Sequence, residues 1–424
     1  MKFVLAFYGT RGDAEPGLAV GRELLRRGHD VCMAVSPDQV GFAESAGVAA
    51  VAYGPDSQTA LARDFGANLF KDFPQGVWRM KDLTRLWREY WAFVTQCWVE
   101  MTKTLMSLTE GADLLFTHQI FEDGAANVAE YYNLPLATLH YFPIRENGRL
   151  LTPLPAPLGR FAITAFWWLS ASVFGRFENA QRRELGLPKA TGPAPRRITE
   201  RGALEIQAYD AVCFPGLAAE WAKLGGQRPF VGALTLQLPT AADQEAASWI
   251  AAGTPPICVA FGSMAMESPG DTLAMIAAAC ARLGERALVC AGSTDFSDVT
   301  HFEHVKVVDA LNYATIFPSC RAVVHHGGVG TTAAGLRAGV PTLICWAAPD
   351  RRMWGGVVKR LKVGTARRFS TTTEKSLVAD LRKILAPEYA ARAREIASRM
   401  TKPADSTATA ADLVENFARR KRGS

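Results

Sequence analysis

Twice along its 424 residues the chain alternates short apolar runs with segments of helical period. The first series opens with Lys2–Tyr8, stops at Gly9, and continues over Gly17–Arg27 with leucine, alanine and valine at helical spacing, closed by Gly28. Val31–Val35 reads as a strand and Pro37–Ala46 as a helix, and Ala112–Phe116, Ala125–Tyr132 and Leu136–His140 repeat the pattern. Strands so short and apolar, separated by helices, are buried on both faces, which predicts a parallel sheet covered on both sides. Trp78–Leu108 and Phe161–Leu185 read as long helices rich in Trp, Phe and Leu, more than crossovers need. A proline-rich loop, Pro188 to Pro195, follows, and alternation resumes near Leu204.

Thr235–Ala247 is polar and carries no apolar period, so residues 235–248 are read as a linker between domains of residues 1–234 and 249–424. The second series has strand-like Ile257–Phe261, Ala287–Cys290, Val305–Val308, Ala322–His325 and Thr342–Trp346. Helical segments lie at Thr272–Leu283, Val329–Ala338, Met353–Leu361, Lys375–Leu385 and Ala390–Met400. A last helix near Ala404–Ala418 is expected to pack back on the first domain. The expected fold class is α/β, with two Rossmann-like, doubly wound domains facing across a cleft. Sheets of this kind bind ligands beyond the carboxyl ends of their strands.

Charge excludes some function classes. Lys and Arg total 47 against 41 acidic residues, a net +6, and no basic stretch is interleaved with aromatics, so no nucleic-acid partner is expected. The dense run Arg419-Arg420-Lys421-Arg422 reads as a solvated tail or a contact with anionic lipid. The eight cysteines never come closer than ten positions, which fits neither a zinc site nor a disulfide framework and suits a reducing compartment. Phe3 to Tyr8 is too short for a signal-peptide core, and no run reaches the ~18 apolar residues of a membrane span. The expected location is cytoplasmic, with room for peripheral contact at the inner membrane. The nearest approach to a span, the uncharged Phe161–Phe174, holds Trp167 and Trp168, which suit core packing, an apolar acceptor groove or a bilayer contact.

The strongest chemical signal is His325-His326-Gly327-Gly328-Val329-Gly330-Thr331-Thr332, after a strand and opening a helix. Glycines let a ligand approach the backbone, and the free N–H groups and dipole of a helix start favour an anion. Histidine and threonine add donors, so the motif reads as a diphosphate site. Gly9-Thr10-Arg11-Gly12 is not a dinucleotide fingerprint, and no Walker loop occurs. No Asp-x-Asp triplet is present, so neither a metal nor a cofactor is expected.

With these motifs the chain resembles the two-domain GT-B glycosyltransferases of family 1, the group containing sterol glucosyltransferases and antibiotic-modifying bacterial enzymes. The resemblance rests on Gly9-Thr10-Arg11-Gly12-Asp13-Ala14-Glu15-Pro16, Phe261-Gly262-Ser263, and the His325 motif followed by Ala338-Gly339-Val340-Pro341. More narrowly, residues 21–31 and Arg-Arg-Glu-Leu-Gly-Leu-Pro at 182–188 are similar to mycobacterial enzymes that decorate glycopeptidolipids with rhamnose or 6-deoxytalose from thymidine diphosphate sugars.

The resemblance implies an acceptor-binding N-terminal domain and a C-terminal domain binding the nucleotide sugar, a co-substrate. His325, Gly328, Gly330 and Thr331 would contact the diphosphate, and Ser263 would touch it from the facing loop or simply start a helix. Backbone around Ala310 and Leu311 would hold the nucleobase. Asp13 is the expected base that deprotonates the acceptor hydroxyl, or else a helix cap, or both. Thr10, Arg11 and Gly12 complete its loop, and Arg11 stabilises the loop or approaches the diphosphate. His140 is a candidate for the acceptor side or a structural histidine. The family offers Asp-Gln to the donor sugar where this chain has Asp350-Arg351. Arginine donates but cannot accept, so an altered donor, a second diphosphate clamp, weak activity and a surface arginine all stay open.

The expected function is inverting, metal-independent transfer of a 6-deoxyhexose, L-rhamnose first, from its dTDP form to a hydroxyl of a glycopeptidolipid-type lipid acceptor. The alternatives are a UDP-glucose-dependent sterol or polyphenol glucosyltransferase, and a nucleotide-sugar-binding protein without turnover.

Overall fold

The computed structural model describes residues 1–57, 80–151, 154–262, 268–292, 294, 296 and 302–422. The chain divides into two compact units, Met1–Leu236 with Pro403–Ser424, and Gln237–Lys402.

In the first unit the strands are β1 (Lys2–Phe7), β2 (Asp30–Val35), β3 (Ala49–Ala52), β4 (Leu114–His118), β5 (Leu136–His140) and β6 (Leu204–Gln207). They form one sheet in the order β3-β2-β1-β4-β5-β6, every pair parallel. The second unit repeats the plan with β7 (Ile257–Ala260), β8 (Ala287–Cys290), β9 (Val305–Val308), β10 (Ala322–His325), β11 (Thr342–Trp346) and β12 (Gly364–Arg368), in the order β12-β11-β10-β7-β8-β9. The strand order therefore reverses between β1 and β4 in one sheet and between β7 and β10 in the other. Loops leaving the carboxyl ends of such a pair diverge to opposite faces, which opens a crevice.

The first helix spans Arg11–Arg26 and begins six residues before the periodic segment read from the sequence. Gly12 and Pro16 look like helix breakers, yet Pro16 only withholds an N–H from the Gly12 carbonyl near the helix start. Gly17 and Gly21 let this helix lie close on β1. A Cβ on Gly17 would stand 2.6 Å from the Phe7 ring, and one on Gly21 2.9 Å from Leu5.

The stretch read as a linker is partly helical: Asp243–Ala251 forms a helix. Its start is held by Asp243, which accepts from the Thr240 N–H (2.8 Å) and hydroxyl (2.7 Å). Only Ala246 and Ile250, one turn apart, are buried, too few to give the segment a visible apolar period. The last helix, Pro403–Arg422, belongs to the first unit. Arg27 ties it to the first helix through Asp412 (2.6 Å) and Glu415 (3.0 Å), while Ala410, Ala411, Val414 and Ala418 are buried.

Candidate active site

In the first unit, β1 runs into Gly9 and then into the helix from Arg11. Gly9 has φ +132°, and a Cβ there would fall 2.5 Å from Asp13 Oδ2. The glycine is what allows the Asp13 carboxylate to fold back over the turn. Asp13 Oδ2 accepts from the Thr10 N–H (2.9 Å) and the Thr10 hydroxyl (3.0 Å). The Tyr141 hydroxyl donates to the Asp13 carbonyl oxygen (2.7 Å), and burial beside the Asp13 charge holds that phenol well above its ordinary pKa. Asp13 is thus a capping carboxylate, half-buried and fixed by its neighbours.

Arg11 points to Glu15 (3.6 Å) and stands 4.5 Å over the Phe42 ring, so it serves the loop. Glu15 also accepts the Leu236 N–H (2.9 Å) where the first unit's long segment ends, and burial raises its pKa. Gly12 is exposed.

His140 is not available to an acceptor. It is wholly buried at the end of β5, with Nε2 3.4 Å from Glu122 and Nδ1 3.2 Å from the Gln207 amide. Arg145 donates to Glu122 (2.6 and 3.0 Å) and Glu205 (3.0 Å), completing a buried ionic network. Burial and the nearby Arg145 charge lower the His140 pKa, while Arg145, outweighing the cost of burial, holds Glu122 down at about 2. The imidazole at the β1–β4 reversal is instead His118, stacked on Phe7 (5.1 Å) and pushed down to about 3 by burial.

In the second unit three glycines with positive φ converge at the carboxyl ends of β7, β8 and β10. They are Gly262 (+61°), Gly292 (+63°) and Gly327 (+95°). A Cβ on Gly292 would meet the Gly262 carbonyl at 2.5 Å. Ser263 lies outside the described residues.

The helix Val329–Ala338 starts from Gly328, with no side-chain cap and no acidic residue in its first turn. Its opening N–H groups come from Val329, Gly330 and Thr331, and Thr331 is half-buried. The Thr332 hydroxyl turns back onto the Gly328 carbonyl (2.8 Å).

The two histidines divide their duties. His325 is wholly buried, and its Nδ1 accepts the Gly327 N–H (3.0 Å), which places the ring proton on Nε2. That Nε2 has no hydrogen-bond partner among the described residues. Burial, with His326 beside it, keeps the ring neutral. His326 is half-buried between the two glycine loops. Its Nε2 stands 2.6 Å from where a Gly328 Cβ would sit, and its Cε1 3.1 Å from a Gly262 Cβ. Burial and the Arg351 charge push it down to about 3.

Asp350 and Arg351 open the helix Pro349–Leu361. Arg351 backs directly onto the motif, since a Cβ on Gly327 would meet its carbonyl oxygen at 3.1 Å and its Cβ at 3.2 Å. Asp350 is exposed, and Arg352 turns away over the Trp346 ring (5.6 Å). At the end of β9 the Ala310 carbonyl lies 3.1 Å from the Thr240 hydroxyl, and Leu311 is buried in the core. The second unit thus gathers His326, Gly328, Gly330, Thr331 and Arg351 at its strand reversal. Such a cradle presents N–H donors, one neutral imidazole and one cation to an anion.

Residues 3–95 match the glycosyltransferase family 28 N-terminal domain, and residues 276–417 match the erythromycin biosynthesis protein CIII-like C-terminal domain. An uncharacterized glycosyltransferase of Mycobacterium tuberculosis is 58% identical over 424 residues, covering 100% of both chains. The glycotransferase of kitacinnamycin superimposes with a TM-score of 0.69 at 18% identity, over 98% of each chain. The chain belongs to the GT-B glycosyltransferases. A second structure with the transferase's fold is the glycosyltransferase VinC in complex with dTDP, with a TM-score of 0.64 at 18% identity, covering 99% of this chain and 100% of that one.

His326, Gly262, Gly292 and Tyr141 were not singled out from the sequence of the transferase. The doubled histidine was visible, but β10 is buried along its whole length, so period-two alternation gives no clue to which ring faces outward.

Proposed function

We propose that the transferase moves a 6-deoxyhexose, L-rhamnose first, from its dTDP form to a hydroxyl of a lipid-linked acceptor of the glycopeptidolipid type, with inversion and without a metal. The observation that carries this reading is the uncapped start of the helix Val329–Ala338, set among three glycine loops and two neutral histidines. A diphosphate supplies the anion that this helix end lacks. The dTDP bound to VinC is consistent with that choice of nucleotide.

In this reading Asp13 takes the proton as the acceptor oxygen attacks the anomeric carbon. The bond from that carbon to the β-phosphate oxygen breaks, and dTDP leaves with the electron pair. The N–H groups of Val329, Gly330 and Thr331, the Thr331 hydroxyl, His326 and the Nε2–H of His325 carry the developing charge. The resemblance assigns Ser263, which lies outside the described residues, to the phosphates, and backbone at Ala310 and Leu311 holds the thymine. Asp350 accepts from sugar hydroxyls, and Arg351, packed against Gly327, clamps the diphosphate instead of reading the sugar. The capping bonds from Thr10 orient the Asp13 carboxylate.

A thermal-shift panel of dTDP-rhamnose, dTDP-glucose, UDP-glucose, dTDP and UDP tests the donor, because a ligand binding only the folded state raises apparent stability. The largest shift is expected with dTDP-rhamnose. A larger shift with UDP-glucose would turn the reading toward glucosyl transfer to a sterol or polyphenol. Binding without transfer or hydrolysis in a coupled assay would leave a nucleotide-sugar-binding protein.

A further inference from the structure

The helix Ala156–Glu184 is apolar on two faces, and only one of them is used inside the chain. Its inner face buries Gly159, Ile163, Phe177 and Gln181. Phe177 stacks on Trp91 (4.9 Å) of the helix Met80–Thr109, and the Trp167 Nε1–H donates to the Ile144 carbonyl (2.9 Å). The outer face presents Leu158, Phe161, Phe166, Trp168, Leu169 and Val173 to solvent, with Phe161 71% and Leu169 66% exposed. A run of large apolar side chains along several turns exceeds the scattered exposure of an ordinary surface.

The charges along this face are predominantly positive. Between Glu146 and Glu178 the chain has no acidic residue, while Arg149, Arg160 and Arg176 lie in that interval. Arg160 (2.6 Å) and Arg149 (3.6 Å) share Glu220, and the Arg176 guanidinium stands 3.8 Å over the Trp91 ring. The rim therefore carries three guanidinium groups against one carboxylate. A second copy docked on this face about a two-fold axis would bring like charges together. Phospholipid headgroups would meet the arginines with opposite charge, and the aromatic and aliphatic side chains suit the boundary between headgroups and acyl chains. No helix among the described residues is long and apolar enough to cross a membrane, so this one would lie in the plane of the surface.

We propose that the outer face of Ala156–Glu184 seats the transferase on the surface of an anionic lipid bilayer. The proposal stands on this surface alone and does not require the donor assignment. It is tested by sedimenting the full chain with vesicles of phosphatidylcholine alone and of phosphatidylcholine mixed with phosphatidylglycerol. The expected result is binding to the mixed vesicles, weakened by salt, with the double variant Phe161→Ser/Leu169→Ser reducing the bound fraction's partition coefficient about ten-fold or more. Both positions are solvent-exposed, so the variant should keep its melting temperature. Retention of the wild-type shift with dTDP separates failure of this proposal from failure of the donor reading. No binding to the mixed vesicles, or equal binding by the double variant, would overturn the proposal. A concentration-dependent dimer abolished by the double variant would also overturn it, assigning the face to a second copy.

Discussion

Two helices begin at the strand reversals of two sheets with the same order, and they treat their free N–H groups in opposite ways. Arg11–Arg26 carries its own anion: Asp13 stands in the first turn, folded over Gly9 and bonded to Thr10. Val329–Ala338 carries none, and begins from a glycine with further glycines around it. A carboxylate at a helix start is favoured by roughly 0.3–1 kcal/mol through the dipole alone, so the first helix end is satisfied from within. The second is left for an anion from outside. The same topology thus yields a fixed carboxylate in one unit and an anion cradle in the other, the two roles on which the proposed function rests.

The largest effect should come from removing the charge without the shape. Asp13→Asn keeps an oxygen for Thr10 and is expected to lower kcat about 10²–10⁴-fold while leaving dTDP affinity unchanged. Full turnover would reduce Asp13 to a cap and break the comparison on the first-unit side.

Next in size is the network behind that loop. Arg145→Met strands the buried Glu122 carboxylate and is expected to cost about 3–5 kcal/mol in urea unfolding, without altering the dTDP affinity of the folded protein. A neutral outcome would show that the network does not hold the first sheet.

Acid should weaken both units. His118, His140, His325 and His326 all have folded-state pKa values below the ordinary 6.5, to about 3 for His118 and His326. As pH falls below 6.5 the unfolded chain takes up protons that the folded chain refuses, so stability declines. Each histidine still neutral at pH 5 would account for roughly 2 kcal/mol. The Glu122 contribution, complete above its unfolded value near 4.5, is lost as pH falls toward about 2. Urea midpoints at pH 7 and pH 5 check the sign, and an equal midpoint would contradict it.

The smallest effect separates the paired histidines. His326→Ala should weaken dTDP about ten-fold at unchanged melting temperature, the loss of one charge-assisted contact. His325→Ala should weaken dTDP and also lower the melting temperature, because that ring fills a wholly buried space. Calorimetry paired with thermal melts tests both.

Much of this architecture was legible because buried parallel strands leave continuous apolar runs, and ten of the twelve described strands lie at or close to such runs. The two that were missed, Ala49–Ala52 and Gly364–Arg368, are edge strands, short in one case and rich in Gly, Thr and Arg in the other. Asp13 and the glycine-rich helix start could be named from sequence because their spacing is local. The position of His140 inside an ionic network could not, since Glu122, Arg145 and Glu205 meet only once β4, β5 and β6 are side by side. Arg351 beside Gly327 is likewise a contact between distant segments.

The contrast between the two helix ends can be tested by copying one onto the other. Thr331 occupies the third position of its helix, as Asp13 does in the first, so Thr331→Asp gives the second helix an internal anion of its own. Calorimetric titration with dTDP should then show affinity reduced at least about 100-fold, as expected for like charges a few ångströms apart, with the melting temperature kept or raised. Undiminished dTDP binding by this variant would place the diphosphate elsewhere and contradict the account.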